Sequence, residues 1–213
     1  MFLDVTLKLL EGFGTNCLIF LGTLVLALPL GLIISFGSMS RFPFIRKPVR
    51  VFIWIIRGIP LMLFLIIVFY GPALVFNVPV ADRLVSAMIA FIINYACYFA
   101  EIFRGGIESI PKGQYEAGQV LGLTKKQIFF KIVLFQVIKR ILAPMGNEVI
   151  TLIKDTSLVR IIIIEEIVKF AYDFATKGLI WPVFYTGVFY LISVGLLTIL
   201  FGKLEKKMSF YKE

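Results

Sequence analysis

The sequence contains no histidine, which excludes imidazole acid–base chemistry and imidazole metal ligation together. Cysteine is nearly as scarce. Cys17 and Cys97 stand far apart inside apolar runs, a placement that suits buried thiols rather than a disulfide framework or a metal site. Charge is thin as well, at 16% of residues, against about 25% in soluble domains. No G-x4-G-K-[ST] phosphate loop is present, so the chain has no backbone cradle for ATP, and any work it does draws on a partner or a gradient. Internal repeats, low-complexity tracts and a soluble domain are also missing from the 213 residues.

What fills the chain instead is apolar surface: 60% hydrophobic residues and a mean hydropathy of +0.96. The formal net charge is +9. A nucleic-acid binder would need that charge on one face of a soluble fold; here it lies between long apolar runs, as in the loops of a membrane protein. The expected fold is therefore all-α and membrane-embedded, because lipid leaves backbone polar groups no partner outside a helix or a closed barrel. Spans are read at about 16–37, 51–76, 83–103, 137–159 and 179–202, each near the roughly 20 residues that a bilayer core requires. The fourth is the weakest, interrupted by Lys139, Arg140, Glu148, Lys154 and Asp155. Loop charge selects five spans over four. Arg41, Arg46, Lys47 and Arg50 form one basic group, Arg104, Lys112, Lys125, Lys126 and Lys131 a second, and Lys203, Lys206, Lys207 and Lys212 a third. All three face the cytoplasm only if 137–159 crosses, with the N-terminus outside and the C-terminus inside. The opening segment (Asp4, Lys8, Glu11) lacks the basic start of a cleavable signal peptide. Pro29, Pro60 and Pro144 mark expected kinks.

The loop at about 104–136 carries the informative pattern. Pro111 and Gly122 punctuate a short helix, and Thr124 is placed to cap a second one, with Ile128, Ile132 and Phe135 spaced along one face. By itself this is either an interfacial loop or a docking element for a partner. The run from Ala100 to Val159, AEIFRGGIESIPKGQYEAGQVLGLTKKQIFFKIVLFQVIKRILAPMGNEVITLIKDTSLV, resembles the permease subunits of polar amino-acid ABC importers. Arg57-Gly58-Ile59-Pro60-Leu61 is similar to their RGTPL element, and Glu116, Ala117, Gly122, Ile132 and Leu134 fall on the spacing of their EAA loop. Gly118 stands where that family has alanine, and Phe135 where it has proline.

The resemblance implies the type I importer permease fold, with a cytoplasmic coupling helix between the third and fourth spans. It implies two such permeases, identical or paralogous, forming a pore in a bacterial cytoplasmic membrane. Two ATP-binding subunits would hold the ATP and Mg, so this chain would be non-catalytic and bind no cofactor. An extracytoplasmic binding protein would deliver an amino acid. Glu116 would be the charged contact to the ATPase and Gly122 the bend after it, with Lys112, Gln114, Ala117 and Gly118 on the same docking surface.

Ionisable residues inside a membrane are functional candidates by default. Glu148, Thr151 and Asp155 share one helix face, flanked by Asn147 and Lys154. This stripe, of both charge signs, suits a zwitterionic substrate in a translocation path; a purely structural pairing of Glu148 and snorkelling of Lys154 and Asp155 stand beside that reading. Asn94, Tyr98 and Glu101 repeat the spacing on the third span. Asn94 is read either as interhelical glue or as a path residue, and Glu101 with Arg104 as a local ion pair. Arg57 either snorkels or serves a gate or inter-subunit contact. The segment 161–169 is read as a short amphipathic helix packed on the outer surface. A stand-alone, ion-coupled secondary transporter is the alternative function, though it would favour inverted repeats, and nothing suggests a nucleic-acid partner.

Overall fold

The computed structural model describes residues 2–208, all of whose regular elements are helical; Lys212 lies outside them. The order is α1 (Phe2–Ser38), α2 (Pro43–Gly58), α3 (Leu61–Phe76), α4 (Arg83–Glu108), α5 (Lys112–Val120), α6 (Lys125–Ile128), a π-helical turn (Phe129–Val133), α7 (Leu134–Asp155), a 3-10 turn (Thr156–Ile162), α8 (Ile167–Ala175) and α9 (Trp181–Met208).

α4 is the central element and packs against α1, α2, α3 and α7. Its contact with α1 is closest because Thr23, Ala27, Gly31 and Ser35 recur every fourth residue and turn one face of small side chains toward it. A Cβ placed at Gly31 would lie 2.8 Å from the Ala96 carbonyl oxygen and 2.9 Å from the Phe99 Cβ. Small residues at this spacing let two backbones approach where lipid offers no hydrophobic drive for association.

α1 begins fourteen residues before the expected span. Asp4, Lys8 and Glu11 hid the continuation from an apolar-run reading, yet Asp4 and Glu11 are exposed, and Lys8, half-buried over the Phe170 ring, pairs with Glu11 at 2.7 Å. Val5, Leu9, Gly12 and Asn16 are buried at helical spacing beneath them. The stretch expected as one span at 51–76 is two helices, α2 and α3, bent by 106°. Ile59, held extended (φ −97, ψ 129), precedes Pro60, which lacks an N–H; this pair ends one helix and starts the next. Pro29 and Pro144, by contrast, lie inside helices that continue through them.

Among the described residues, α1, α4 and α9 are each long and apolar enough to cross a membrane, and α2 with α3 passes as a bent pair. α7, at 22 residues, is about 33 Å long but too charged to pass on composition. α9 lies on the periphery against α7 and α8, with only Pro182 and Thr186 buried.

Replacing Gly31 with valine is expected to lower stability by about 1–3 kcal/mol or more, because a close-packed seam has no room for the branch. The same change at Gly14, whose added Cβ meets nothing within 4 Å, should be tolerated. Thermal unfolding of the two variants in detergent provides the comparison, and equal melting would contradict the seam.

Candidate functional site

At one end of the bundle α5 is punctuated on both sides. Pro111 (φ −59, ψ 138) precedes its first turn. At the other end Gly122 adopts φ +72. The Leu123 N–H donates to the Gly118 carbonyl at 3.0 Å and the Gly122 N–H to the Gln119 carbonyl at 2.9 Å. This pair of bonds forms a Schellman closure, which needs a left-handed residue after the helix and so favours glycine there. Thr124 then restarts the chain through a reciprocal cap: its N–H donates to Gln127 Oε1 at 2.8 Å and its hydroxyl accepts from the Gln127 N–H at 3.3 Å.

Lys112, Gln114, Glu116 and Ala117 are exposed on α5, while Gly118 is buried beneath it. Gln114 is tied back to α7 by Gln136, whose amide donates to Gln114 Oε1 at 3.3 Å. The most exposed apolar residues of the loop are Val120 and Leu121, at 88% and 75%. The expectation that Ile128, Ile132 and Phe135 share a face does not hold. The π turn inserts one residue into the helical count, so the buried set is Ile128, Val133 and Val137, Ile132 is half-buried, and Phe135 is 45% exposed.

A second group lies between α2, α4 and α7. The Tyr95 hydroxyl of α4 donates to Asp155 Oδ2 at 2.7 Å. Glu148, Thr151 and Asp155 are half-buried on one face of α7, and Asn147 and Lys154 are exposed beside them. Thr151 spends its hydroxyl on the Asn147 carbonyl at 3.0 Å. Arg57 ends α2 with its guanidinium carbon 4.9 Å from the centre of the Tyr98 ring and a nitrogen 3.7 Å from Glu101. It is thus held against α4, although 40% of its side chain stays exposed, by a cation–π contact and an ion pair, and it also lies within electrostatic range of Glu148, as does Asp155. From Glu101 the pairing continues through Arg104 (2.6 Å) and Glu108 (2.6 Å) to Arg50 (3.7 Å). The Glu101–Arg104 ion pair read from spacing is therefore present. The order of the contacts, 50 with 108 and 57 with 101, runs α2 antiparallel along α4. Asn94 is buried at 3% exposure, and its amide meets no hydrogen-bond partner among the described residues.

A third polar group escaped the sequence reading. Asn16 Nδ2 lies 3.0 Å from Thr156 Oγ1, 3.3 Å from Glu166 Oε2 and 3.3 Å from the Tyr190 hydroxyl, while Asn16 Oδ1 accepts from the Ile167 N–H at 3.2 Å. Glu166 is fully buried and caps α8 by accepting from Val168 N–H (2.9 Å) and Lys169 N–H (2.7 Å). Burial pushes its carboxyl above the ordinary range, and the hydrogen bonds from these two backbone groups and Asn16 offset only part of that rise. The available signal was the second acid of the Glu165-Glu166 pair between apolar runs. The helix expected over 161–169 starts at Ile167 instead, after the 3-10 turn, and packs on α1 and α9. Among the described residues no three or more Cys, Asp and Glu gather where they could hold a metal ion.

Residues 27–210 match the family described as binding-protein-dependent transport system inner membrane component. The chain belongs to this family. It is 32% identical to the arginine transport system permease protein ArtQ of Bacillus subtilis, over 94% of this chain and 92% of that one. It is 32% identical to the glutamine transport system permease protein GlnP of Escherichia coli, over 88% and 84%. It is 40% identical to the L-cystine transport system permease protein TcyB of B. subtilis over 70% of its length, a match that spans 63% of the relative. Its fold resembles the crystal structure of an amino acid ABC transporter with histidines, with a TM-score of 0.87 over 97% of this chain and 96% of that one at 24% identity. The methionine ABC transporter MetNI, in an inward-facing form, follows at a TM-score of 0.72 and 16% identity, over 96% of each chain. The chain is accordingly an all-helical membrane component of the ABC transporter permease class, with the type I importer fold.

Glu166→Ala should lower stability by about 1–3 kcal/mol, because it uncaps α8 and removes one of the three acceptors around the buried Asn16 amide. Glu165→Ala, at an exposed neighbour, should stay within about 0.5 kcal/mol. Thermal unfolding of both variants decides; equal effects would remove the buried group from the account.

Proposed function

We propose that the chain is the pore subunit of an ATP-driven importer of polar amino acids in a bacterial cytoplasmic membrane. The single observation that carries this reading is α5, a nine-residue helix closed at both ends that presents Glu116 and the apolar Val120–Leu121 tip away from the bundle. Its setting is a family defined by dependence on a binding protein, with relatives named for arginine, glutamine and cystine transport. In this reading α1, α2 with α3, α4, α7 and α9 are five spans with the N-terminus outside and α5 in the cytoplasm. α7 crosses despite its charges because they face α4 and a polar path rather than lipid.

A second permease completes the pore, and two ATPase subunits holding ATP and Mg dock on the α5 faces; this chain is non-catalytic. Glu116, Lys112, Gln114 and Ala117 meet the ATPase, and Gly118 and Gly122 shape the helix that carries them. Substrate arrives from an extracytoplasmic binding protein. Glu148 and Asp155 offer carboxylates to the ammonium of an amino acid, and Lys154 offers a cation to its carboxylate. Asn147, Thr151 and Asn94 supply the polar lining. Because Arg57 is already paired with Glu101, a gate at the end of α2 is biased by whatever shifts α4. Movement of one helix against the other opens and closes access, and nucleotide binding selects between the two arrangements.

The test is co-purification of the tagged chain from its native membrane, followed by hydrolysis and uptake assays. An ATPase subunit should accompany both wild type and Glu116→Ala, with substrate-stimulated hydrolysis reduced about fivefold or more in the variant, the equivalent of about 1 kcal/mol of lost coupling. Asp155→Asn keeps an acceptor for Tyr95 but removes the charge; uptake should fall about tenfold. A chain that purifies alone and moves amino acids into liposomes on an ion gradient would overturn the reading.

A further inference from the structure

Gly118 is the one buried residue of α5, and its neighbour is specific. A Cβ built there would lie 2.7 Å from Ile128 Cγ1, 3.0 Å from Cδ1 and 3.4 Å from Cγ2. No side chain fits at the first of these distances without displacing Ile128, which is itself 1% exposed. The contact belongs to a small core separate from the main one. Ile110, Ile128, Val133 and Val137 are buried in it, with Tyr115, Leu123 and Phe129 packed around them. That core runs on to α4, where a Cβ at Gly106 would overlap Ile141 and lie 3.5 Å from Val137 Cγ1. α5 is thus joined to the bundle by close packing at two glycines, with Ile128 and Val137 between them. The π turn makes this continuous, because the inserted residue brings Val133 and Val137 onto the side that Ile128 occupies.

We propose that Ile128 is the positioning residue of α5: its side chain seats in the socket left by Gly118 and fixes the angle at which Glu116 and Val120 are presented to the ATPase. The proposal rests on the coupling role assigned to α5 above. It gives Gly118 a reason specific to this chain, since an alanine there excludes the isoleucine in its present place. Without the seat, α5 keeps its Pro111 and Gly122 ends, the Gln136–Gln114 bond and the Tyr115 contact with the small core, and its tilt is less tightly fixed. A motion of the ATPase would then be absorbed by the loop rather than passed to α4 and α7.

The experiment uses the assembled transporter in proteoliposomes and reads amino acid moved per ATP hydrolysed, a ratio that loss of folded protein does not change. Gly118→Ala and Ile128→Ala should each lower the ratio about fivefold. The double variant puts a methyl on one side of the space vacated on the other and should return to within about twofold of wild type, a non-additivity expected only of residues in contact. If Gly118→Ala fails to assemble, recovery of assembly and coupling in the double variant supports the proposal equally. A double variant that is as poor as the product of the two singles, that fails to assemble, or a Gly118→Ala with wild-type coupling overturns it. Glu116→Ala, run alongside, separates the two levels: if it also leaves the ratio unchanged, the coupling role of α5 falls; if it uncouples while the Gly118 and Ile128 effects multiply, only the seat falls.

Discussion

The close approach of α1 to α4 is the constraint from which the other placements follow. A helix that buries Ala87, Ala90, Ala96 and Ala100 together with Phe91 and Phe99 must be met by a partner with little side chain of its own, and the small face of α1 meets it. Fixed in this way, α4 has one side left for α2 and α3 and another for α7. Its polar residues then fall where they are useful. Tyr95 reaches Asp155 on α7, and Glu101 and Glu108 receive Arg57 and Arg50 from α2. The charged seam is a consequence of helix packing rather than a separate feature placed on it.

The ladder along α2 and α4 is made of partly exposed pairs, so each contributes modestly to stability, typically below about 1 kcal/mol. It fixes the direction in which α2 runs along α4, and the Ile59–Pro60 break ends α2 just past Arg57, beside Glu101. The buried knot of Asn16, Thr156, Glu166 and Tyr190 acts at the opposite end. It ties α1, the 3-10 turn, α8 and α9 together next to Asp155, so that side of the seam is held while the α5 side is linked through the small core of Ile128 and Val137.

Helix identity was legible wherever apolar runs were long, as at α4 and α9. At α1 only the start went unread, because Asp4, Lys8 and Glu11 interrupt the apolar run in sequence while the helix continues through them. The bend at Pro60 was legible as a kink, but not as a 106° break, since a proline in a helix at Pro29 or Pro144 carries the same local signal and leaves the helix intact. Loop punctuation by Pro111, Gly122 and Thr124 was readable because each cap has its own residue chemistry. The face of the segment after Thr124 was not, because a π turn shifts the buried side by one residue and has no short sequence signature. The Asn16–Glu166 knot joins residues 150 positions apart, a distance over which spacing says nothing. The stripe Glu148–Thr151–Asp155 was legible as a shared face; that Tyr95 would meet Asp155 was not.

The most direct test of the account is where the tip of α5 goes in the working complex. A photo-reactive residue in place of Val120, in transporter assembled from its native membrane, should cross-link to the ATPase subunit on irradiation, and the cross-linked complex should lose uptake while retaining bound nucleotide. Cross-links to lipid or to the partner permease alone, or an ATPase-linked complex that still transports at the wild-type rate, would contradict the coupling of α5 to the charged seam.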